Sequence, residues 1–156
     1  MSQSQDKQEN VLRISRVIRA PAERVYKAFL DPDAMAKWLP PHGFTGKVTE
    51  SDVREGGHYK MTFTNFSTGN SHSFGGKYVE LTPYSRIRYT DQFDDPNMPG
   101  EMEVTIEFVK NIAGTEVKIT QKGIPSQIPL EFATMGWQES LQLLEQLVVP
   151  DIPDNA

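Results

Sequence analysis

The chain has 156 residues, no cysteine and a formal net charge of −5, with 16 basic and 21 acidic residues mixed along its length. That length supports one domain with its own core, while the lack of cysteine excludes disulfides, thiolate nucleophiles and cysteine-ligated zinc. The mixed, net-negative charge argues against a nucleic-acid binder that depends on a broad cationic surface.

In chain order, the opening MSQSQDKQEN is polar and lacks the apolar segment of a signal peptide. Residues 1–10 are expected to be a disordered lead-in, 11–149 a single domain and 150–156 a flexible tail. Val11–Ala20 reads as a first strand, with Leu12 and Ile14 on one parity and an irregularity expected near Ser15 and Arg16. Pro21 then opens a helix whose Val25, Ala28 and Phe29 share a face. Asp31 and Pro32 end it and cap a second, short helix carrying Met35, Trp38 and Leu39, which Pro40 and Pro41 stop.

From Phe44 to Gln121 the pattern alternates as strands do. Phe44–Arg54 is one strand, Glu55, Gly56 and Gly57 its turn, and Tyr59, Met61 and Phe63 form the apolar side of the next. Phe74 and Tyr78 share a face of the strand 71–81, where Gly75 and Gly76 signal a bulge or a close approach. Ile87, Tyr89, Asp91 and Phe93 share parity, and so do Met102, Val104, Ile106 and Phe108, then Val117 and Ile119. A last helix runs from about Pro129 to Val149, with Trp137, Leu141, Leu144 and Val148 as its apolar stripe and Phe132, Met135, Gly136, Leu143 and Leu147 widening it. On this reading Trp137 is buried and structural, Phe132 and Met135 flank a cavity, and Gly136 marks the passage of a strand or ligand. The fold class is therefore α+β: a strand, two short helices, a curved antiparallel sheet of about six strands, and one long helix for it to enclose.

Several stretches together resemble a known family. They are RVIRAPAERVYKAF (16–29), WLPP (38–41), DVREGGHY (52–59), GGKYVELTP (75–83) and GWQESLQLL (136–144). In this order they resemble a branch of the START-like superfamily related to the C-terminal domain of the activator of the heat-shock protein ATPase. The superfamily also holds pollen-allergen and polyketide-cyclase-like proteins. The resemblance spans about residues 11–149 and implies a helix-grip fold, often with an apolar cavity between sheet and helix. It also implies lipid-like or aromatic ligands in some relatives. The co-chaperone activity belongs to larger proteins with an additional N-terminal domain.

Among the histidines, His58 lies on the polar side of its strand, and His72 begins one. His42 follows the double proline and reads first as a loop residue, second as a ligand contact at a cavity mouth. Asp91 has the parity of the covered face, where burial would make it an acid or base. The preferred reading is that its strand frays toward the loop 94–100 and leaves it wet. No HExxH, DxDxDG, GxSxG, GxGxxG or Walker pattern occurs, so neither a metal, a cofactor nor a catalytic motif is expected.

The ligand-contact set read from these patterns is Trp38, His42, Phe44, Tyr59, Met61, Phe74, Tyr78, Tyr89, Asp91, Met102, Phe132, Met135, Gly136 and Leu143. Within it Trp38, with Leu39, is also read as a core plug, and His42 and Phe44 as rim. The function expected is binding of a small apolar or aromatic, lipid-like or polyketide-like molecule. The alternatives are a protein-interaction module with a chaperone or stress partner, and a cyclase- or hydrolase-like enzyme using Asp91, His42 or a tyrosine hydroxyl. No nucleic acid and no membrane span are expected, the oligomeric state is a monomer or weak homodimer, and the cysteine-free composition suits the cytoplasm.

Overall fold

The structure, a computed structural model, describes residues 10–154. Most of the expected lead-in (1–9) and the last two residues of the expected tail lie outside the described residues. The elements are β1 (Val11–Ile18), α1 (Ala22–Leu30), α2 (Pro32–Trp38), β2 (Phe44–Ser51), β3 (His58–Asn65), β4 (Ser71–Thr82), β5 (Arg86–Phe93), β6 (Met102–Asn111), β7 (Gly114–Lys122) and α3 (Leu130–Val148). All strand pairs are antiparallel, in the order β1-β7-β6-β5-β4-β3-β2. Six strands follow the short helices, and β1 extends their sheet to seven by pairing with β7. This is the helix-grip arrangement: a curved sheet closing on one long helix. Among the described residues no helix is long and apolar enough to cross a membrane.

Local chemistry sets the helix boundaries. Asp31 Oδ1 accepts hydrogen bonds from the backbone N–H groups of Asp33 (2.9 Å) and Ala34 (3.1 Å), capping α2 with Pro32 in its first turn. Trp38 is fully buried, edge-on to Phe29 at 4.7 Å, and its Nε1 donates to the Ala28 carbonyl at 2.8 Å. The two short helices are thereby fixed to each other directly, apart from their contacts with the sheet.

Three local expectations are corrected. Strand β1 keeps a continuous register from Val11 to Ile18, without an irregularity at Ser15 or Arg16. Arg16 simply occupies an inward position, and its Nη2 donates to Glu145 Oε1 of α3 at 2.6 Å, while Val17 faces out. Gly75 and Gly76 are not the bulge, because the register shift in β4 falls between Tyr78 and Glu80. They serve close approach instead: a Cβ on Gly76 would sit inside the Thr90 carbonyl oxygen of β5. Trp137, thirdly, is only partly buried.

Helix α3 is divided in its contacts. Its C-terminal half buries Leu141, Leu144 and Val148 in the main core, alongside Ile18, Val25, Ile106 and Val117. Arg24 of α1 donates to the Val148 carbonyl at 2.8 Å, a second tether beside Arg16–Glu145. The N-terminal half contributes only partly buried residues, Leu130, Ala133 and Trp137 packing on the small cluster of Leu12, Met102 and Ile124, and beside these contacts the sheet and helix separate.

Candidate functional site

A cavity of about 450 Å³ lies between β3–β6 and the N-terminal half of α3. Strand parity builds one wall. Tyr59, Met61 and Phe63 of β3, Phe74 and Tyr78 of β4, Ile87, Tyr89, Asp91 and Phe93 of β5, and Met102 of β6 all point to it. The other wall is one face of α3: Phe132, Ala133, Gly136, Trp137 and Ser140. Phe29, Met35, Leu39, Pro41 and Phe44 close one end, and Gln121, Ile124 and Ile128 the other. Phe132 is 64% exposed while also lining the cavity, so its ring stands at the mouth. Size and lining are those of a small-molecule site, which is mostly apolar with a few placed polar groups.

Most polar groups in the wall already have partners. Trp137 Nε1 donates to Gln121 Oε1 at 2.8 Å, and Gln121 Nε2 lies 3.3 Å from Met102 Sδ. The Ser140 hydroxyl donates to the Leu39 carbonyl at 2.6 Å, which ties α3 to the end of α2. Tyr59 Oη stands 2.9 Å from Asp91 Oδ1 and 3.1 Å from the Thr90 carbonyl oxygen. Tyr78 Oη is buried with no hydrogen-bond partner among the described residues.

Asp91 is the one carboxyl among the described lining residues. Burial pushes its pKa up to about 7, against the opposing hydrogen bonds from Tyr59 and the Gln92 backbone. Burial, then the Asp91 charge, holds Tyr59 well above the usual phenol value, and Tyr89 is raised for the same two reasons. Burial lifts Tyr78 to about 12 and lowers His72. The Tyr59 phenol carries a single proton. An ionised Asp91 takes it, whereas a protonated Asp91 donates to Tyr59 Oη and frees that proton for the Thr90 carbonyl.

Phe44, Tyr59, Met61, Phe74, Tyr78, Tyr89, Asp91, Met102, Phe132 and Gly136 of the sequence-derived set meet at this cavity. Four do not. Trp38 is sealed beneath α2, and Leu143 packs on the core side of α3. Met135 is half exposed, beside a shallow groove with Arg16, Gln138, Glu139 and Gln142. His42 is exposed, with its backbone N–H on Glu139 Oε1 at 3.1 Å. Asp91 is not the wet residue of a fraying strand: β5 stays paired past it, Asp91 facing Met102 and Phe93 facing Phe74. At Gly136 no strand passes close, since a Cβ there would meet no protein atom within 4 Å; the residue lines the cavity instead.

The ligand-contact set read from the sequence omits Trp137, Phe63, Phe93, Gln121 and Ser140, which line the cavity. Parity was an available signal for three of them. Phe63 follows Tyr59 and Met61, Phe93 follows Asp91, and Gln121 follows Val117 and Ile119, each at two-residue steps.

Residues 19–149 match the family model of the activator of Hsp90 ATPase homolog 1-like proteins. The chain belongs to this family. It is the branch that the sequence resembles. Among solved structures, protein CV1439 from Chromobacterium violaceum is 55% identical, over 91% of this chain and 99% of its own, with a TM-score of 0.90. Protein Ms6760 from Mycobacterium smegmatis is 16% identical over 95% of this chain and 96% of its own, with a TM-score of 0.77. The AHSA1-like protein from Aeromonas hydrophila is 22% identical over 87% and 90%, with a TM-score of 0.71. At those two identities the likeness shows the fold alone. No curated protein matches the chain. For this member of the activator-homolog family, argument about function therefore starts from its own cavity.

Proposed function

We propose that the chain binds a small apolar or aromatic molecule, lipid-like or polyketide-like, in the cavity between the sheet and α3. The observation that carries this reading is the 450 Å³ space itself, walled by aromatic and methionine side chains. A core of ordinary packing density leaves few voids larger than a water molecule. Here Gly136 faces the space without a side chain to fill it. The test is backbone and aromatic shift mapping by NMR with lipids, flavonoids and polyketide-like aromatics. Coherent shifts at Tyr59, Tyr89, Gly136 and Trp137 with one class are expected. If every class leaves all four unmoved, the reading is wrong.

One observation favours an acid–base enzyme as a second reading: the Tyr59–Asp91 pair, with a carboxyl pushed up to about 7 inside an apolar cavity. That is the range a general acid or base requires. A ligand-bound structure in which neither Asp91 nor Tyr59 reaches a ligand atom would remove it. His42 carries no part of this reading, because it is exposed and is not among the residues lining the cavity.

A further inference from the structure

The polar chemistry of the cavity is one-sided. Its described lining residues include one carboxyl, Asp91, and neither a lysine nor an arginine. Cations of the neighbouring strands, such as Lys60 and Arg88, alternate to the other face and are paired there. Lys60 Nζ lies 2.8 Å from Asp94 Oδ2, and Arg88 Nη1 lies 3.6 Å from Glu80 Oε1. Tyr59, hydrogen-bonded to that carboxyl, belongs to a cluster of three tyrosine rings. Tyr59 lies 5.6 Å from both Tyr78 and Tyr89, centroid to centroid, and Tyr78 lies 6.4 Å from Tyr89.

We propose that the cavity selects molecules joining an apolar body to a single protonated amine, with Asp91 as counter-charge and the rings of Tyr59, Tyr78 and Tyr89 around the ammonium group. This rests on the cavity-binding reading above and narrows it. Two arguments decide for a cation over an anion. A carboxylate ligand would find no positive partner in the wall and would be repelled by Asp91 across a low-dielectric space. An ammonium ion gains both a charge-assisted hydrogen bond to the carboxylate and attraction to the aromatic faces. A carboxylate offers about four acceptor positions, and Tyr59 and the Gln92 backbone account for two, so acceptor capacity remains for a ligand.

The pH dependence follows from the groups that face this point. Besides Asp91, these are Tyr59 of β3, His72 and Tyr78 of β4, and Tyr89 of β5, while the lining residues of β6, β7 and α3 do not titrate. The three phenols stay neutral through the neutral range, since all are raised. An alkylamine with a pKa of about 10 stays protonated. Affinity therefore rises as Asp91 ionises, from about pH 5 to about pH 8. His72 loses any positive charge over part of the same range, and that contribution persists in Asp91→Asn.

The test compares 4-phenylbutylamine, 4-phenylbutanol and 4-phenylbutyrate, one body with three head groups, by calorimetry and NMR. At about pH 8 the amine should bind the wild type about tenfold or more tighter than the alcohol, with the acid weakest. Asp91→Asn should erase the amine's advantage and leave the alcohol nearly unchanged. If Asp91→Asn does not fold, the wild type alone decides: amine binding must lower the Asp91 carboxyl titration measured by NMR, and amine affinity must climb with pH. Equal binding of all three, or preference for the acid, overturns the amine assignment and leaves the cavity reading standing. If none of the three binds, the amine assignment falls, while the cavity reading is decided by the shift mapping with the other ligand classes.

Discussion

Asp91 and the two tryptophans set the behaviour of the chain at the scale of single residues. An aspartate raised from 3.8 to about 7 binds its proton more tightly folded than unfolded. Between about pH 4 and about pH 7 the native state thus holds more protons, and stability from this group falls as pH rises through that window, levelling off above it. The cost at high pH is about 1.4 kcal/mol for each unit of the rise, an upper limit because the side chain retains some contact with solvent. Asp91→Asn keeps an acceptor for Tyr59 and should melt above the wild type at about pH 8, with the gap closing by about pH 4. A gap that is the same at both pH values would show that Asp91 is not a raised carboxyl. The tryptophans separate by burial. Trp38→Ala removes a fully buried indole and should cost about 3–5 kcal/mol, enough to lose soluble protein. Trp137→Phe keeps a ring in the cavity wall and chiefly orphans Gln121 Oε1, a cost of about 1 kcal/mol. Thermal melting of the two variants side by side checks the order.

At the scale of elements, the strands are legible in the sequence and the long helix only in part. Period-two alternation assigns a side, so residue spacing alone puts Tyr59 with Met61, Phe74 with Tyr78, and Tyr89 with Asp91 on one face of their strands. The Asp31–Pro32 junction is equally plain, because a cap and a proline fix local geometry within a few residues. Helix α3 is apolar over so wide an arc that its pattern does not say which edge is packed. The cavity face runs through Phe132, Gly136 and Ser140. Met135 lies about 100° round the helix from Gly136, and Leu143 lies nearly in line with it but about two turns on, where the helix packs on the main core. Ser140 is illegible for another reason: its hydroxyl is satisfied by Leu39, 101 residues away in the chain, and only the tertiary fold creates that pair. Gly136 gives the test at this scale. Gly136→Ala gains about 1 kcal/mol of helix propensity, and its methyl enters open space, so the melting temperature should rise by a few degrees. Gly136→Leu should leave the protein folded but fill the cavity and abolish binding of any ligand found there. A fall in the melting temperature of Gly136→Ala would mean that the space beside it is already occupied.

For the whole molecule, α3 divides into a half buried in the main core and a half that contributes only partly buried residues, and motion is expected in the second. The C-terminal half is held by Leu141, Leu144 and Val148 in the core and by two arginines, Arg16 to Glu145 and Arg24 to the Val148 carbonyl. The N-terminal half spans the cavity, presents Phe132 and Met135 to solvent, and follows a segment, Gly123–Pro129, without regular structure. Local opening free energies follow buried contact, so the two halves should differ although they form one helix. Amides of Phe132–Trp137 should exchange hydrogen measurably faster than those of Leu144–Val148, which should approach the protection of the central strands. A ligand in the cavity supplies the missing contacts beneath the first half, and it stabilises the native state in proportion to its occupancy. Protection should then rise selectively in Phe132–Trp137 and along Tyr59–Phe63, leaving Leu144–Val148 nearly unchanged. Uniform protection along the free helix would show that the sheet already supports its full length, and access to the cavity would have to come from the other end, at Pro41 and Phe44.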